Sequence, residues 1–169
     1  DSNEAKKCLE KAIELNPNYG TAYNNLGNVL HELGDSNEAK KCLEKAIELN
    51  PNYPEAYNNL GNVLQELGDS NEGKICFEKA IKLNPNFITA IWNLHQFALN
   101  IDEALIILKK IINIDKNYIR AKAIISAIEG YKGNFKDFEV LLDSYESKHP
   151  YIRSIKWVFS LPKLPKLFF

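Results

Sequence analysis

The chain has 169 residues, of which 45% are hydrophobic and 25% charged, and its formal net charge is −1. This length allows one ordinary domain, and the composition is too apolar for a disordered chain. Acidic residues are in excess before residue 100 and basic ones after it, but no Lys/Arg run would neutralise many phosphates, so no nucleic-acid partner is expected. The sequence has neither a signal peptide nor an apolar stretch of the roughly 20 residues that a membrane span requires, which favours a cytoplasmic protein with no membrane partner.

A 34-residue repeat dominates the sequence. Residues 1–34 and 35–68 differ only at the pairs Gly20/Pro54, Thr21/Glu55 and His31/Gln65. A third copy begins at Asp69 and loses register near Asn100, and a weaker fourth copy covers 119–152. Repetition at this period indicates a solenoid, in which each repeat buries its apolar face against its neighbours.

Each repeat predicts two amphipathic helices. The apolar positions that recur at helical spacing are Tyr23, Leu26, Val29, Leu30 and Leu33 in the first helix, and Ala39, Leu43, Ala46, Ile47 and Leu49 in the second. Between them, Gly34 suits the position after a helix C-terminus, and Asp35 with Glu38 predicts a capping box. Pro54 suits the first turn of the next helix.

This pattern closely resembles the tetratricopeptide repeat family. The matching positions are Tyr23, Leu26, Gly27, Ala39, Leu43, Ala46 and Pro51, and again Tyr57, Leu60, Gly61, Gly73, Phe77, Ala80 and Pro85. The resemblance implies an all-α fold, a right-handed α-solenoid of tandem antiparallel helix hairpins. Small residues such as Gly27 and Gly61 let the two helices of a hairpin approach closely.

In the family's phase the repeats are 20–53, 54–87, 88–118 and 119–152. They lie in a single solenoid, 1–160, with 1–19 a half repeat and 153–160 a capping helix. Residues 161–169 are expected to form an extended tail or a linker to a further domain. His95 stands where earlier repeats have Gly27 and Gly61, which predicts an irregular joint around residues 92–104.

The sequence lacks the residue patterns of an enzyme. Cys8, Cys42 and Cys76 recur every 34 residues, which places them on successive helices, beyond the roughly 7 Å that a disulfide spans. Neither the cysteines nor the histidines have metal-ligand spacing, and no phosphate loop or paired-carboxylate motif occurs. We therefore expect no metal, no cofactor and no catalytic residue.

Asparagines recur on the predicted first helices. Asn25, Asn59 and Asn93 form a ladder at a 34-residue step, and we take Asn25, Asn28, Asn59, Asn62 and Asn93 as candidate peptide-binding residues. An Asn amide is both donor and acceptor, so a column of amides can hold the backbone of an extended peptide. The pattern resembles the asparagine ladder of O-linked N-acetylglucosamine transferases, which holds polypeptide substrates. The alternative is that these residues bond neighbouring helices or keep the groove soluble.

Charged residues on the first helices restrict the class of ligand that is expected. Relatives that grip a C-terminal carboxylate use Lys and Arg there, whereas this chain has Asn24, Asn58 and Trp92 at the matching places. Glu32 and Glu66 make the same face mildly acidic, which favours a neutral or basic ligand.

The leading hypothesis is therefore a protein–protein interaction module that binds an extended peptide or a partner protein on its concave face. One alternative is a substrate-recruiting arm of a larger enzyme with a catalytic domain downstream. Another is a structural repeat that forms homo-oligomers through its uncapped ends, with Ala5, Leu9, Ala12 and Ile13 meeting a second copy.

Overall fold

The computed structural model describes residues 1–131, and this part of the chain consists of helices joined by short turns. The eight helices are α1 (Ser2–Leu15), α2 (Gly20–Glu32), α3 (Ser36–Leu49), α4 (Pro54–Glu66), α5 (Ser70–Leu83), α6 (Ile88–His95), α7 (Ile101–Ile114) and α8 (Ile119–Tyr131). The chain divides into two compact units, of which the first is Asp1–Ala98 and the second begins at Leu99.

The helix boundaries follow the phase of the repeat. α2, α4, α6 and α8 begin at residues 20, 54, 88 and 119, where the predicted repeats begin, and α1 is the expected second helix of a half repeat. Pro54 occupies the first turn of α4, as predicted. The expected second helix of the last repeat, the capping helix 153–160 and the tail 161–169 lie outside the described residues. A single solenoid from 1 to 160 stays a prediction.

The turn within each of the first two hairpins is closed by a glycine. Gly34 and Gly68 have φ of +82° and +91°, in the left-handed region that glycine adopts without steric cost. The Asp35 N–H donates to the Leu30 carbonyl over 2.9 Å and the Gly34 N–H donates to the His31 carbonyl over 3.0 Å. These two bonds define a Schellman motif, which satisfies the last carbonyls of α2.

The predicted capping box is wrong. Asp35 is the N-cap of α3, but its side chain makes no capping hydrogen bond. The Glu38 carboxylate instead accepts a hydrogen bond from the Lys41 ammonium over 2.5 Å, because Lys41 lies one turn further along the same helix face.

Glycines on the first helices bring the paired helices together. A Cβ added to Gly27 would lie 2.6 Å from Leu43 Cγ, and one added to Gly61 would lie 2.6 Å from the Phe77 ring. Leu43 and Phe77 are both fully buried. The prediction that small residues permit close approach is confirmed, since a side chain at either glycine would displace the core residue opposite.

The first helix of the third repeat is shorter than the first helices of the two preceding repeats. α6 has 8 residues, whereas α2 and α4 have 13 each. It ends at His95, the residue that replaces the glycine of the earlier repeats. The centroids of the His95 and Trp92 rings are 4.4 Å apart, with the rings tilted by 37°, and His95 Nδ1 contacts the Trp92 carbonyl. The end of α6 therefore lies within the range 92–104, where an irregular joint is expected.

Candidate functional site

The predicted ladder lies on the first helices of the N-terminal unit. Asn25 and Asn28 on α2 are exposed, whereas Asn59 and Asn62 on α4 and Asn93 on α6 are half-buried. We call the surface that these five residues share the first-helix face.

Side-chain amides connect the three helices across this face. The Asn59 Nδ2 donates to Asn24 Oδ1 over 2.9 Å, which joins α4 to α2. The Asn93 Nδ2 donates to Asn58 Oδ1 over 3.1 Å and to Asn62 Oδ1 over 2.9 Å, which joins α6 to α4. For Asn59 and Asn93 the structure therefore bears out the alternative interpretation, in which the asparagines bond neighbouring helices.

Bonds within each helix complete the network. The Asn24 Nδ2 donates to Asn25 Oδ1 over 3.2 Å, and the Asn58 Nδ2 donates to Asn59 Oδ1 over 3.4 Å. The amides thus form one continuous chain from Asn93 to Asn25. Such a chain holds the first helices in register, because each buried amide has its partner on the next helix.

Sequence reasoning missed the two residues at the centre of this network. Asn24 and Asn58 are only 4% exposed, and each both donates and accepts. The sequence feature that could have indicated them is a pair of adjacent asparagines, since Asn24-Asn25 recurs as Asn58-Asn59. One member of each pair points inward to bond the adjacent helix, and an unpaired amide at that depth would be costly. The third repeat has Trp92 at this position.

The ladder retains unused hydrogen-bonding capacity. An Asn amide has two N–H groups and two acceptor lone pairs. Asn59 donates once and accepts once, so one N–H and one lone pair remain. Asn25 only accepts, and the Asn28 side chain makes no hydrogen bond within the described part of the chain. The face therefore offers donors and acceptors at several points along its length.

Charge on the first helices of this unit is of one sign. α2, α4 and α6 contain Glu32, Glu55 and Glu66 and no Lys or Arg. Glu66 lies 2.5 Å from His31 Nε2, and Glu32 accepts a hydrogen bond from the Ser2 hydroxyl over 3.4 Å. α2, α4 and α6 therefore contribute carboxylates to this unit but no Lys or Arg side chain of their own.

The cysteines lie on the second helices, and burial perturbs two of them. All three thiols are free, and Cys8 is exposed while Cys42 and Cys76 are half-buried. Burial raises the pKa of the Cys42 thiol and raises that of Cys76 to about 11. A raised pKa lowers the thiolate fraction, which is the nucleophilic and metal-binding form.

Residues 1–131 contain neither a metal-binding cluster nor a helix that could span a membrane. No group of three His, Cys, Asp or Glu side chains there is arranged to hold a metal ion. None of the helices in this range combines the length and apolar character that a membrane span needs.

Comparison with known proteins identifies the repeats. Tetratricopeptide repeat family models match residues 8–41 and 54–87, and a TPR repeat model matches residues 27–68. A comparison with curated protein sequences found no match.

Several solved structures are similar. A crystal structure of MamA is 26% identical over 88% of this chain and 91% of that chain, with a TM-score of 0.72. YrrB, a TPR protein with an unusual peptide-binding site, is 25% identical over 92% of this chain and 84% of its own, with a TM-score of 0.67. A mutant O-GlcNAc transferase from Thermobaculum terrenum is 24% identical over 67% of this chain and 23% of its own, with a TM-score of 0.63, and shows likeness of fold alone.

The helical hairpins and their 34-residue period define an all-α solenoid. The chain belongs to the tetratricopeptide repeat family and is a protein–protein interaction module. Proteins of this family are typically non-catalytic scaffolds.

Proposed function

We propose that the chain binds an extended segment of a partner protein along the first-helix face, with Asn25, Asn28, Asn59, Asn62 and Asn93 as the contacting residues. The observation that carries the proposal is the unused hydrogen-bonding capacity of these amides. It is greatest at Asn25 and Asn28, which are both exposed. An extended peptide has unpaired backbone N–H and C=O groups that suit such a row of donors and acceptors.

The hydrogen bonds between helices would favour this binding because they fix the asparagine side chains before the peptide binds. Asn59 and Asn93 are fixed by their bonds to Asn24 and Asn58 on the adjacent helices. Asn59 keeps one N–H and one lone pair, and Asn93, which uses both of its N–H groups, keeps its Oδ1 acceptor. These groups therefore have a defined spacing before the ligand arrives, and less entropy is lost on binding. YrrB supports this assignment, since a TPR protein of similar fold has a peptide-binding site.

The charge of the face sets the class of peptide. Glu32, Glu55 and Glu66 repel a phosphorylated or acidic segment and attract Lys or Arg side chains. We therefore assign the ligand as a neutral or basic extended segment, with contacts to its backbone rather than to a particular side-chain sequence.

The test is a peptide-display selection on the purified chain, followed by affinity measurements on variants. Asn25→Ala and Asn28→Ala are combined because Asn28 makes no hydrogen bond in the described part of the chain and Asn25 only accepts one. Two lost hydrogen bonds, at about 1 kcal/mol each, should weaken selected peptides roughly tenfold or more.

The matched control is Asn37→Ala. Asn37 is an exposed asparagine on α3, away from the first helices, so peptide affinity should not change. Equal weakening in both variants, unchanged affinity in the double variant, or no peptide enriched above background would each refute binding at this face.

A further inference from the structure

The first two copies of the repeat differ at only three positions, and all three lie on first helices. Copies 1–34 and 35–68 differ at the pairs Gly20/Pro54, Thr21/Glu55 and His31/Gln65. These residues belong to α2 and α4, whereas the second helices α1 and α3 have the same sequence. The differences therefore fall on the helices that form the first-helix face.

Contacts within the protein account for two of these differences. Pro54 occupies the first turn of α4, where proline is favoured because no backbone N–H is needed. His31 pairs with Glu66 on α4, and the equivalent residue Gln65 accepts a hydrogen bond from Gln96 over 3.3 Å. The position that His31 and Gln65 share therefore connects neighbouring repeats, as the asparagines do.

The third difference, Thr21/Glu55, has no such explanation. Both side chains are exposed, and within residues 1–131 neither makes a hydrogen bond or an ion pair. Thr89, the equivalent residue of α6, is exposed as well, so among α2, α4 and α6 a carboxylate occupies this position in α4 alone. The other carboxylates of these helices, Glu32 and Glu66, each have a hydrogen-bonding partner. The Glu55 carboxylate is therefore accessible to a ligand.

Glu55 lies on the same side of α4 as the asparagine ladder. Asn59 and Asn62 follow it by four and seven residues, a spacing that places side chains on one face of a helix. A segment that bonds to Asn59 through its backbone would thus have side chains near the Glu55 carboxylate. Backbone contacts do not fix which residue of the segment lies at Asn59, because every residue other than proline presents the same N–H and C=O groups. A charged side chain beside the ladder could select one register.

We propose that Glu55 binds one Lys or Arg side chain of the extended segment and so fixes the register of that segment on the first-helix face. The inference rests on the proposed function and adds to it a residue that recognises a side chain. A carboxylate can accept hydrogen bonds from either cation, and Arg suits it best because the guanidinium donates two parallel hydrogen bonds. Thr21 and Thr89 carry no charge, so α2 and α6 offer no equivalent site at this position.

The first test compares peptide-display selections on the wild-type chain and on Glu55→Thr, which has the residue found in α2 and α6. Both proteins should enrich peptides, but only the wild type should prefer peptides with a Lys or Arg at one position. A change of that residue to Gln should weaken binding to the wild type about two- to fivefold, as expected for an exposed ion pair. The same peptide change should leave binding to Glu55→Thr unaltered, measured by fluorescence anisotropy.

The second test adds a carboxylate to the adjacent first helix by Thr21→Glu. α2 and α4 are neighbours, since Asn59 on α4 donates to Asn24 on α2. Packed helices lie about 8–10 Å apart, and an extended chain advances about 3.3 Å per residue. Peptides selected on Thr21→Glu should therefore contain a second Lys or Arg about three residues from the first.

The matched control is Glu72→Thr. Glu72 is also an exposed carboxylate in the first turn of a helix, but it lies on the second helix α5 and not on the first-helix face. This variant loses the same charge as Glu55→Thr, and its preference for Lys or Arg should match that of the wild type. All three changes are at exposed positions, so the fold should be retained.

Three outcomes would overturn the inference while leaving peptide binding at this face intact. The first is a preference for Lys or Arg that Glu55→Thr retains, and the second is an equal loss of that preference in Glu72→Thr, which would reflect net charge alone. The third is a selection on Thr21→Glu that adds no second basic residue. If neither the wild type nor Glu55→Thr enriched any peptide, the proposed function would fail together with this inference.

Discussion

The hairpins α2–α3 and α4–α5 have the same close contact between their two helices, but different residues of the second helix form it. Their first helices are nearly identical, but Leu43 and Ala39 of α3 become Phe77 and Gly73 of α5. A Cβ at Gly73 would lie 2.9 Å from the Gly61 carbonyl oxygen, so the second hairpin has no room for the methyl group that Ala39 carries in the first. The second hairpin therefore combines a larger core residue, Phe77, with a smaller neighbour, Gly73, than the first.

The largest expected effect is at the glycines opposite these core residues. Gly61→Ala should lower the free energy of unfolding by about 1–3 kcal/mol, because the three atoms nearest the new methyl group all belong to the rigid Phe77 ring. Gly27→Ala should cost less, since the Leu43 side chain can change rotamer. Denaturant unfolding of both variants measures the difference.

A double-mutant cycle sharpens this prediction. In a Phe77→Leu background the hairpin has a core residue like Leu43, and the cost of Gly61→Ala should shrink toward that of Gly27→Ala. Additive effects of the two changes would show that contact with the Phe77 ring is not the cause of the cost of Gly61→Ala.

An intermediate effect is expected at the neighbouring small residues. Ala39→Gly should lower the free energy of unfolding by about 1 kcal/mol through helix propensity. Gly73→Ala should not raise the free energy of unfolding by the same amount, because the new methyl group would lie 2.9 Å from the Gly61 carbonyl oxygen. Denaturant unfolding that showed a full gain for Gly73→Ala would mean that α5 has room for the methyl group after all.

The last expected difference does not concern stability but the reactivity of the equivalent thiols Cys42 and Cys76. Burial raises the pKa of Cys76 from 9.0 to about 11, and the pKa of Cys42 is raised by the same cause. At pH 8 the thiolate fraction of Cys76 should be about 100-fold below that of a thiol at the ordinary value. Alkylation followed by peptide mass spectrometry should find Cys8 fastest and Cys76 slowest, and the rate at Cys76 should keep rising above pH 9. Equal rates would show that the two hairpins expose their thiols alike.

The ladder shows how far sequence reasoning reaches in this site. The 34-residue step placed Asn25, Asn59 and Asn93 on consecutive first helices, and the structure joins Asn59 and Asn93 to their neighbours. The same pattern did not reveal that Asn24 and Asn58 are the buried partners. When two adjacent residues are identical, the sequence does not indicate which of them points inward, because that depends on where the adjacent helix packs.

The repeat period, the hairpin boundaries and the left-handed turns at Gly34 and Gly68 were determined by the sequence alone, because local propensity and apolar spacing act within a few residues. Burial was decided only by the tertiary structure. The fourteen residues of α1 and α3 form the same helix, yet Leu43 is fully buried while Leu9 is half-exposed. The physical reason is that removal of apolar surface from water depends on the neighbouring helices and not on the residue's own segment.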